Sequence, residues 1–449
     1  MPTNISGLDE LRVLHLSDIH FRRKVGDGDY DIDTDIRHEV WRDAGELSKK
    51  LGGVQAIFIT GDTAFSGQEK EYKEAHTWLE GLCKSTGCEP HNVWMVPGNH
   101  DIDRAQVNRS KILQSLHNQI RSETDCQKQD KIFSDLMDDS EGPDLLYRPL
   151  SGYNDFSSRY SSQVNASQPY WEVDLPLNDS SVLKVRGINT SLLSTSEDND
   201  RDHKLVLQLK HCVAKRQEGV EYLFLLHHPL DWLFNHDLIR DYLKRVRIAL
   251  FGHKHRQRLT KIDGNLRLHA GAVNPDPNEA SYEPRYNLLT VKVEGAGEDR
   301  SLEVNVYSRV WSPADTIFKA QTETEGQIYD SVSLKLPNWE PIAEELTPET
   351  GTYQASKELT GAGEYGMNTL RSLTYRYLSL PYHRRVDVAS KCKLLRDEDK
   401  GINGDELFRR IFKRAKDENK LHQFWQAVEE LHADGADPNK NPYKSEESE

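Results

Sequence analysis

Short apolar runs punctuate the first 310 residues of this chain. Val13-Leu14-His15-Leu16, Ala56-Ile57-Phe58-Ile59, Val93-Trp94-Met95-Val96, Tyr222-Leu223-Phe224-Leu225-Leu226 and Ile248-Ala249-Leu250-Phe251 are continuous rather than alternating, the form taken by strands buried on both faces. Between the first three runs, apolar positions recur at helical spacing. Ile36, Val40, Leu47 and Leu51 mark one stripe, closed by Gly52-Gly53, and Tyr72, Ala75, Leu79 and Leu82 mark another. Ser66 to Glu69 has the spacing of a capping box ahead of that second helix. Strand, helix, strand, helix, strand predicts an α/β sheet.

The pattern then loosens. Residues 104–160 are mostly polar, with helical patches such as Ile112, Leu113, Leu116 and Ile120, and read as a helical insertion positioned to cap a site. Strands are expected again at Tyr170–Val173 and Leu183–Ile188, and a helix near 204–216. Leu266–His269, Tyr286–Val291 and Leu302–Tyr307 predict a second, more antiparallel sheet packed on the first. The first domain is therefore set at residues 8–320, and the Thr-, Glu- and Pro-rich residues 321–358 read as a linker. Beyond it the period is helical. Val386, Ala389 and Cys392 fall on one helix, Leu407, Phe408, Ile411, Phe412 and Ala415 on a second, and Leu421, Phe424, Trp425, Val428 and Leu431 on a third. Residues 359–433 predict a small all-α domain, and 434–449 a disordered tail.

Composition narrows the class. The chain has 449 residues, 36% hydrophobic, with no run near the roughly 20 apolar residues of a membrane span. Its first residues lack the layout of a secretory signal, and five scattered cysteines read as reduced thiols, so a cytoplasmic protein is expected. Cys83 and Cys88 lack the further cysteines a zinc site needs. The net charge of −15 belongs to the first 370 residues, since residues 371–449 hold 16 Lys and Arg against 15 Asp and Glu. Such acidity excludes indiscriminate nucleic-acid binding over the whole surface, while leaving room for a local basic groove.

Each of the five apolar runs is followed at once by metal-binding side chains: Asp18-Ile19-His20, Gly61-Asp62, Gly98-Asn99-His100-Asp101, His227-His228 and Gly252-His253-Lys254-His255. Ligands gather outside the carboxyl ends of strands in open α/β sheets, so five strand ends can deliver these groups to one crevice. A two-metal site needs one carboxylate shared between the ions. Asp62 is the expected bridge, with Asp18, His20 and His255 completing one metal and Asn99, His227 and His253 the other. Mixed nitrogen and oxygen donors suit two divalent ions of Mn, or of Fe or Zn, better than Ca. His100 is the candidate acid for the leaving group, with Asp101 orienting its ring. Arg22, Arg23, Lys254 and Arg256 flank the set and are expected to contact an anionic substrate. A solvated loop face accounts for such charges equally well.

These motifs, with Pro229 after the histidine pair, resemble the signature of calcineurin-like metallophosphoesterases over about residues 10–310. The resemblance implies a two-sheet sandwich flanked by helices, and His227 rather than His228 as the ligand. The His-His-Pro step and Asn189-Thr190 are most similar to the cyclic-nucleotide phosphodiesterase branch, although Thr63-Ala64-Phe65 stands where many relatives carry a further Asp. Leu378–Leu395 with Leu407–Leu431 resembles the death-like effector-associated adaptor modules of bacterial conflict and signalling systems, which implies a protein partner. The expected function is metal-dependent hydrolysis of phosphodiesters by an activated hydroxide, on a nucleotide or nucleic acid, with recruitment through the C-terminal domain. The alternatives are a protein or small-molecule phosphomonoesterase and a non-catalytic scaffold of the same fold.

Overall fold

The structure, a computed structural model, describes residues 9–22, 32–198, 204–275, 283–324, 326–340, 363–399, 402, 405–432 and 441–443. The chain divides into two units, the first made of residues 1–156 and 162–343 and the second of 157–161 and 344–449. In the first unit, β1 (Leu11–Leu16), α1 (Ile32–Leu51), β2 (Ala56–Ile59), α2 (Glu69–Thr86) and β3 (Val93–Met95) alternate as expected. Five short helices follow: α3 (Arg104–Arg109), α4 (Lys111–Arg121), α5 (Cys126–Met137), α6 (Gly142–Tyr147) and α7 (Ser151–Ser157). Asp103, Ser110 and Asp125 start three of them by accepting backbone N–H groups of the first turn.

The chain continues through β4 (Tyr170–Pro176), β5 (Val182–Ile188), β6 (Val220–Leu226), α8 (His236–Leu243), β7 (Val246–Phe251), β8 (Arg258–Ile262) and β9 (Asn265–His269). It ends in β10 (Arg285–Glu294), β11 (Ser301–Ser312), β12 (Ile317–Ala320) and β13 (Asp330–Lys335). One mixed sheet has the order β12-β11-β10-β1-β2-β3, with β13 pairing the earlier part of β11, and the other runs β4-β5-β6-β7-β9-β8. β1, β2 and β3 are parallel, as are β5, β6, β7 and β9. Every residue of β1, β2 and β3 is buried, as their unbroken apolar runs require.

The five motif-bearing strands are divided between the two sheets, β1, β2 and β3 in one and β6 and β7 in the other. Several expectations are corrected here. The late strands build no separate antiparallel sheet, because β10 pairs antiparallel with β1 and so extends the first sheet, while β9 joins the second. Local alternation says that a strand exists, and partner choice depends on the whole topology. The helix expected near 204–216 is only a single 3-10 turn at Leu209–Cys212. The cap of α2 sits two residues later than expected, with Glu71 accepting the Gln68 N–H at 3.0 Å and the Ser66 hydroxyl at 2.7 Å. β13 lies inside the stretch read as linker, where Val332 and Leu334 alternate with Ser331 and Ser333. Residues 341–362 lie outside the described residues.

A buried carboxylate fastens α1 to the first sheet. Asp43 accepts from Arg309 Nε at 2.7 Å and also from the Tyr286 hydroxyl, which gives the charge partners in an apolar setting. All five cysteines are unpaired. In the second unit, α9 (Gly363–Ser379), α10 (Tyr382–Lys391), α11 (Asp405–Asp417) and α12 (Leu421–Glu429) close on a core in which the Tyr377 ring meets Phe408 at 5.7 Å and Phe424 at 4.7 Å. The expected disordered tail lies mostly outside the described residues. Within it, Asn441 is buried and its amide donates to His422 O at 3.1 Å. Among the described residues, no helix is long and apolar enough to cross a membrane.

Candidate metal centre

The loops that follow β1 and β2 run side by side. Asp18 N donates to Gly61 O at 3.0 Å, Ile19 N to Asp62 O at 2.9 Å and Phe21 N to Thr63 O at 3.0 Å. This backbone zipper holds conformations that side chains rarely adopt: φ is 53° at Asp18, 51° at His20 and 53° at Asp62. His253 (φ 72°) and His255 (φ 51°) repeat the device after β7. Five of the seven expected ligands are thus left-handed, a concentration of backbone strain of the kind found at functional sites. Gly61, at φ 96°, makes a turn that a residue with a side chain would rarely adopt. Gly98 is needed for space, since a Cβ there would stand 2.0 Å from Asp62 Oδ1.

All seven side chains come together. Asp18, His20 and His255 offer ligand atoms within 4.8 Å of one another, as do Asp18, Asp62 and His227. Asn99 Oδ1 lies 2.9 Å from His227 Nε2 and 3.0 Å from His253 Nδ1. Asp62 Oδ2 is the shared atom, 3.4 Å from His20 Nε2 and 3.3 Å from His227 Nε2. Two sets of donor atoms therefore meet at one carboxylate.

Backbone carbonyls fix the rings. His20 Nδ1 faces Asn274 O at 3.1 Å, and His227 Nδ1 faces Thr60 O at 2.7 Å. A carbonyl only accepts, so each Nδ1 donates and each Nε2 is left with a lone pair. At His227 that lone pair converges with the oxygens of Asn99 and Asp62, three electron-rich atoms that need a cation among them. Without metal a proton serves. Burial pushes the His227 imidazole down, but Asp62 and Asp18 outweigh it and carry the ring up to about 9. Burial likewise opposes the Asp62 charge, while His227, His100 and His20 hold its carboxyl well below the usual range. Asp18 Oδ1 is buried and makes no hydrogen bond, although His255 Nε2 is 3.3 Å away. An oxygen stranded in this way and the convergent nitrogen lone pairs fit a pair of divalent cations.

Other expected residues fall into different places. His100 is half-buried at the mouth, its ring driven down to about 4 by burial and anchored by backbone N to Asp62 Oδ1 at 2.7 Å. Asp101 does not orient that ring. Its carboxylate accepts Gly98 N (2.9 Å), Thr63 N (3.2 Å), Ala64 N (2.9 Å) and the Tyr72 hydroxyl (3.0 Å). It braces the loops after β2 and β3, because its donors include Thr63 N and Ala64 N on the one and Gly98 N on the other. Arg22 lies over the Phe65 ring, its guanidinium carbon 4.6 Å from the centroid. Lys254 is exposed and bound to Asp231 at 2.5 Å, Arg256 is exposed, and Arg23 lies outside the described residues.

Residues 11–257, more than half of the chain, match the family described as Calcineurin-like phosphoesterase. The chain belongs to that family. In this calcineurin-like phosphoesterase, residues 369–430 form a second matched segment, the GTPase-associated adaptor domain. The chain is 28% identical over 215 residues to an uncharacterized metallophosphoesterase-like protein, YydB, of Bacillus subtilis (strain 168), covering 47% of this chain and 40% of that protein. It thus spans about two fifths of that relative's length. Among solved structures, purple acid phosphatase PPD1 from yellow lupin (Lupinus luteus) seeds is similar with a TM-score of 0.39 and 12% identity, over 73% of this chain and 54% of that one. Vps29 of Entamoeba histolytica, complexed with zinc, matches with a TM-score of 0.29 and 10% identity, over 72% of this chain and 99% of that one.

Sequence reasoning missed the parts supplied by backbone. The carbonyls of Thr60, Phe65 and Asn274, each set on a site histidine, carry no residue-type signal. His228, left as a neighbour, is buried with Nδ1 3.0 Å from the Thr190 hydroxyl. Arg104 carries no motif signal, yet its Nη2 stands 2.9 Å from His100 Nδ1.

Proposed function

We propose that this chain is a binuclear metal-dependent phosphodiesterase acting on a nucleotide or nucleic-acid substrate, brought to its place of action by a protein that binds the adaptor domain. The observation that carries the reading is Asp62 Oδ2, shared between a donor set of Asp18, His20 and His255 and another of Asn99, His227 and His253. Bound there, two divalent ions supply Lewis acidity toward phosphoryl oxygens and a nucleophile from water at neutral pH. Mixed nitrogen and oxygen donors suit Mn, Fe or Zn better than Ca, and Mn is the ion chosen for the test, with Fe and Zn as the alternatives.

The chain's own groups do the rest. His100, half-buried and next to Asp62, hydrogen-bonds the phosphoryl or leaving oxygen from the mouth of the site. Asp101 holds the two loops at fixed separation, so that ring and carboxylate keep their register. Arg22 and Arg256, with Lys254 once it leaves Asp231, attract the polyanion, and Arg23 extends the same basic sequence. An acidic protein that keeps its cations at the mouth favours a substrate with more than one phosphate over an isolated small ester.

The test is metal content and turnover of the purified chain with Mn, using bis(p-nitrophenyl) phosphate, cyclic nucleotides, single-stranded and duplex DNA, and RNA. The expected result is two ions per chain, diester hydrolysis, and loss of both in Asp62→Ala. Hydrolysis undiminished by that substitution would remove the mechanism, and turnover confined to monoesters would remove the substrate class.

A further inference from the structure

Two groups claim the same nitrogen of His100. Its Nδ1 lies 2.8 Å from Phe65 O and 2.9 Å from Arg104 Nη2. A carbonyl can only accept and a guanidinium can only donate, so the two bonds require opposite states of Nδ1, and a neutral ring makes one at a time. If Nδ1 donates to Phe65, Nε2 keeps a lone pair. If Arg104 donates to Nδ1, the hydrogen sits on Nε2.

The difference matters because of what surrounds the ring. A nitrogen of His100 lies within 4.8 Å of ligand atoms of both His20 and Asp62, a third group of side chains able to hold a metal ion. With a lone pair on Nε2, His100 is one more ligand competing for a cation. With a hydrogen on Nε2, it cannot bind a metal and becomes a donor toward a phosphoryl oxygen.

We propose that Arg104 is the positioning residue that holds His100 in the Nε2–H form, keeping it out of the metal coordination and in the role of donor. The donor role rests on the phosphoesterase reading above. Three observations favour Arg104 over Phe65. A hydrogen bond with a charged partner is roughly twice as strong as a neutral one. Arg104 is the first residue of α3, whose start is pinned by Asp103 accepting Ala105 N at 3.1 Å and Gln106 N at 3.2 Å, so the guanidinium is delivered from a fixed base. Among the described residues, Arg104 pairs with no carboxylate that would draw it away.

The experiment is nitrogen-15 NMR of the zinc-loaded full-length protein, reading which ring nitrogen of His100 carries hydrogen, with His100→Gln assigning the signals. Wild type is expected to show a bare Nδ1 and a protonated Nε2, and Arg104→Met to reverse them. Arg104→Lys, which keeps a donor, should restore the wild-type form at least in part. In turnover with Mn, Arg104→Met should lower kcat for a diester with an alkyl leaving group by about 10²-fold, the low end of the range for proton transfer by a side chain, and leave KM nearly unchanged. A p-nitrophenyl diester should lose much less. Hydrogen on Nδ1 in the wild type overturns the proposal even if no variant folds, and so does an Arg104→Met protein with the wild-type tautomer. A protein with hydrogen on Nε2 that hydrolyses none of these esters supports the assignment of Arg104 and overturns the phosphoesterase reading instead.

Discussion

Asp18, Asp62 and His227 are as deeply buried as Leu394, Phe408 and Phe424, all at 1% exposure or less. The first three sit at the strand ends of the first unit, the others in the helical core of the second. Burial means opposite things in the two places. Around Phe424, aromatic rings remove one another from water and each contact stabilises the fold. Around Asp62, charged and lone-pair groups have been taken out of water and crowded together on left-handed backbone, at a cost met by the strands that hold them. The helical unit is assembled for its own stability. The strand ends are assembled for something that binds there.

The sharpest way to break this contrast is Phe424→Ala, which should destabilise the helical unit by about 3–5 kcal/mol and leave hydrolysis of a small diester unchanged. Urea unfolding followed by far-UV circular dichroism, beside an activity assay, would show whether the two respond separately. Gly98→Ala should do the reverse. Its methyl group points at Asp62 Oδ1, and a displacement near 1 Å at such a site costs about 10²-fold in turnover, while the dichroism spectrum stays that of the native fold. Metal removal comes next. If the strand ends give up stability in order to bind cations, a chelated sample should melt lower, and Mn at about 100 times its Kd should restore about 2.7 kcal/mol. Calorimetry with no metal-dependent shift would count against a cation site. The smallest effect belongs to Lys413→Ala on the exposed face of α11, expected within about 0.5 kcal/mol in stability. A larger loss would mean that this surface helps to hold the fold.

The same contrast explains what could be read from the sequence. Asp18, His20, Asp62, Asn99, His227, His253 and His255 could be singled out because few residue types bind metals and each set follows a buried strand, and the fold brings their side chains together. Helices α1, α2, α4, α10, α11 and α12 were legible from apolar stripes, although Cys392 and Leu431 fall just past the ends of theirs. What stayed hidden depends on partners rather than on residue type. Nothing local in Tyr286–Val291 says that it will pair with β1 instead of founding another sheet. The serines of Asp330–Lys335 made a strand look like a linker. The role expected of Asp101 went astray because adjacency in sequence to His100 was taken for adjacency of side chains, whereas Asp101 turns to the backbone of Thr63 and Ala64.

The ring of His20 is held by a carbonyl 254 residues further along the chain. During synthesis the ribosome therefore releases the first three motifs long before that anchor exists. β1 likewise waits for β10, and until that strand emerges its outer edge is an open hydrogen-bonding template. Until β10 has emerged, that open edge is where a nascent chain of this protein is exposed to pairing with its neighbours.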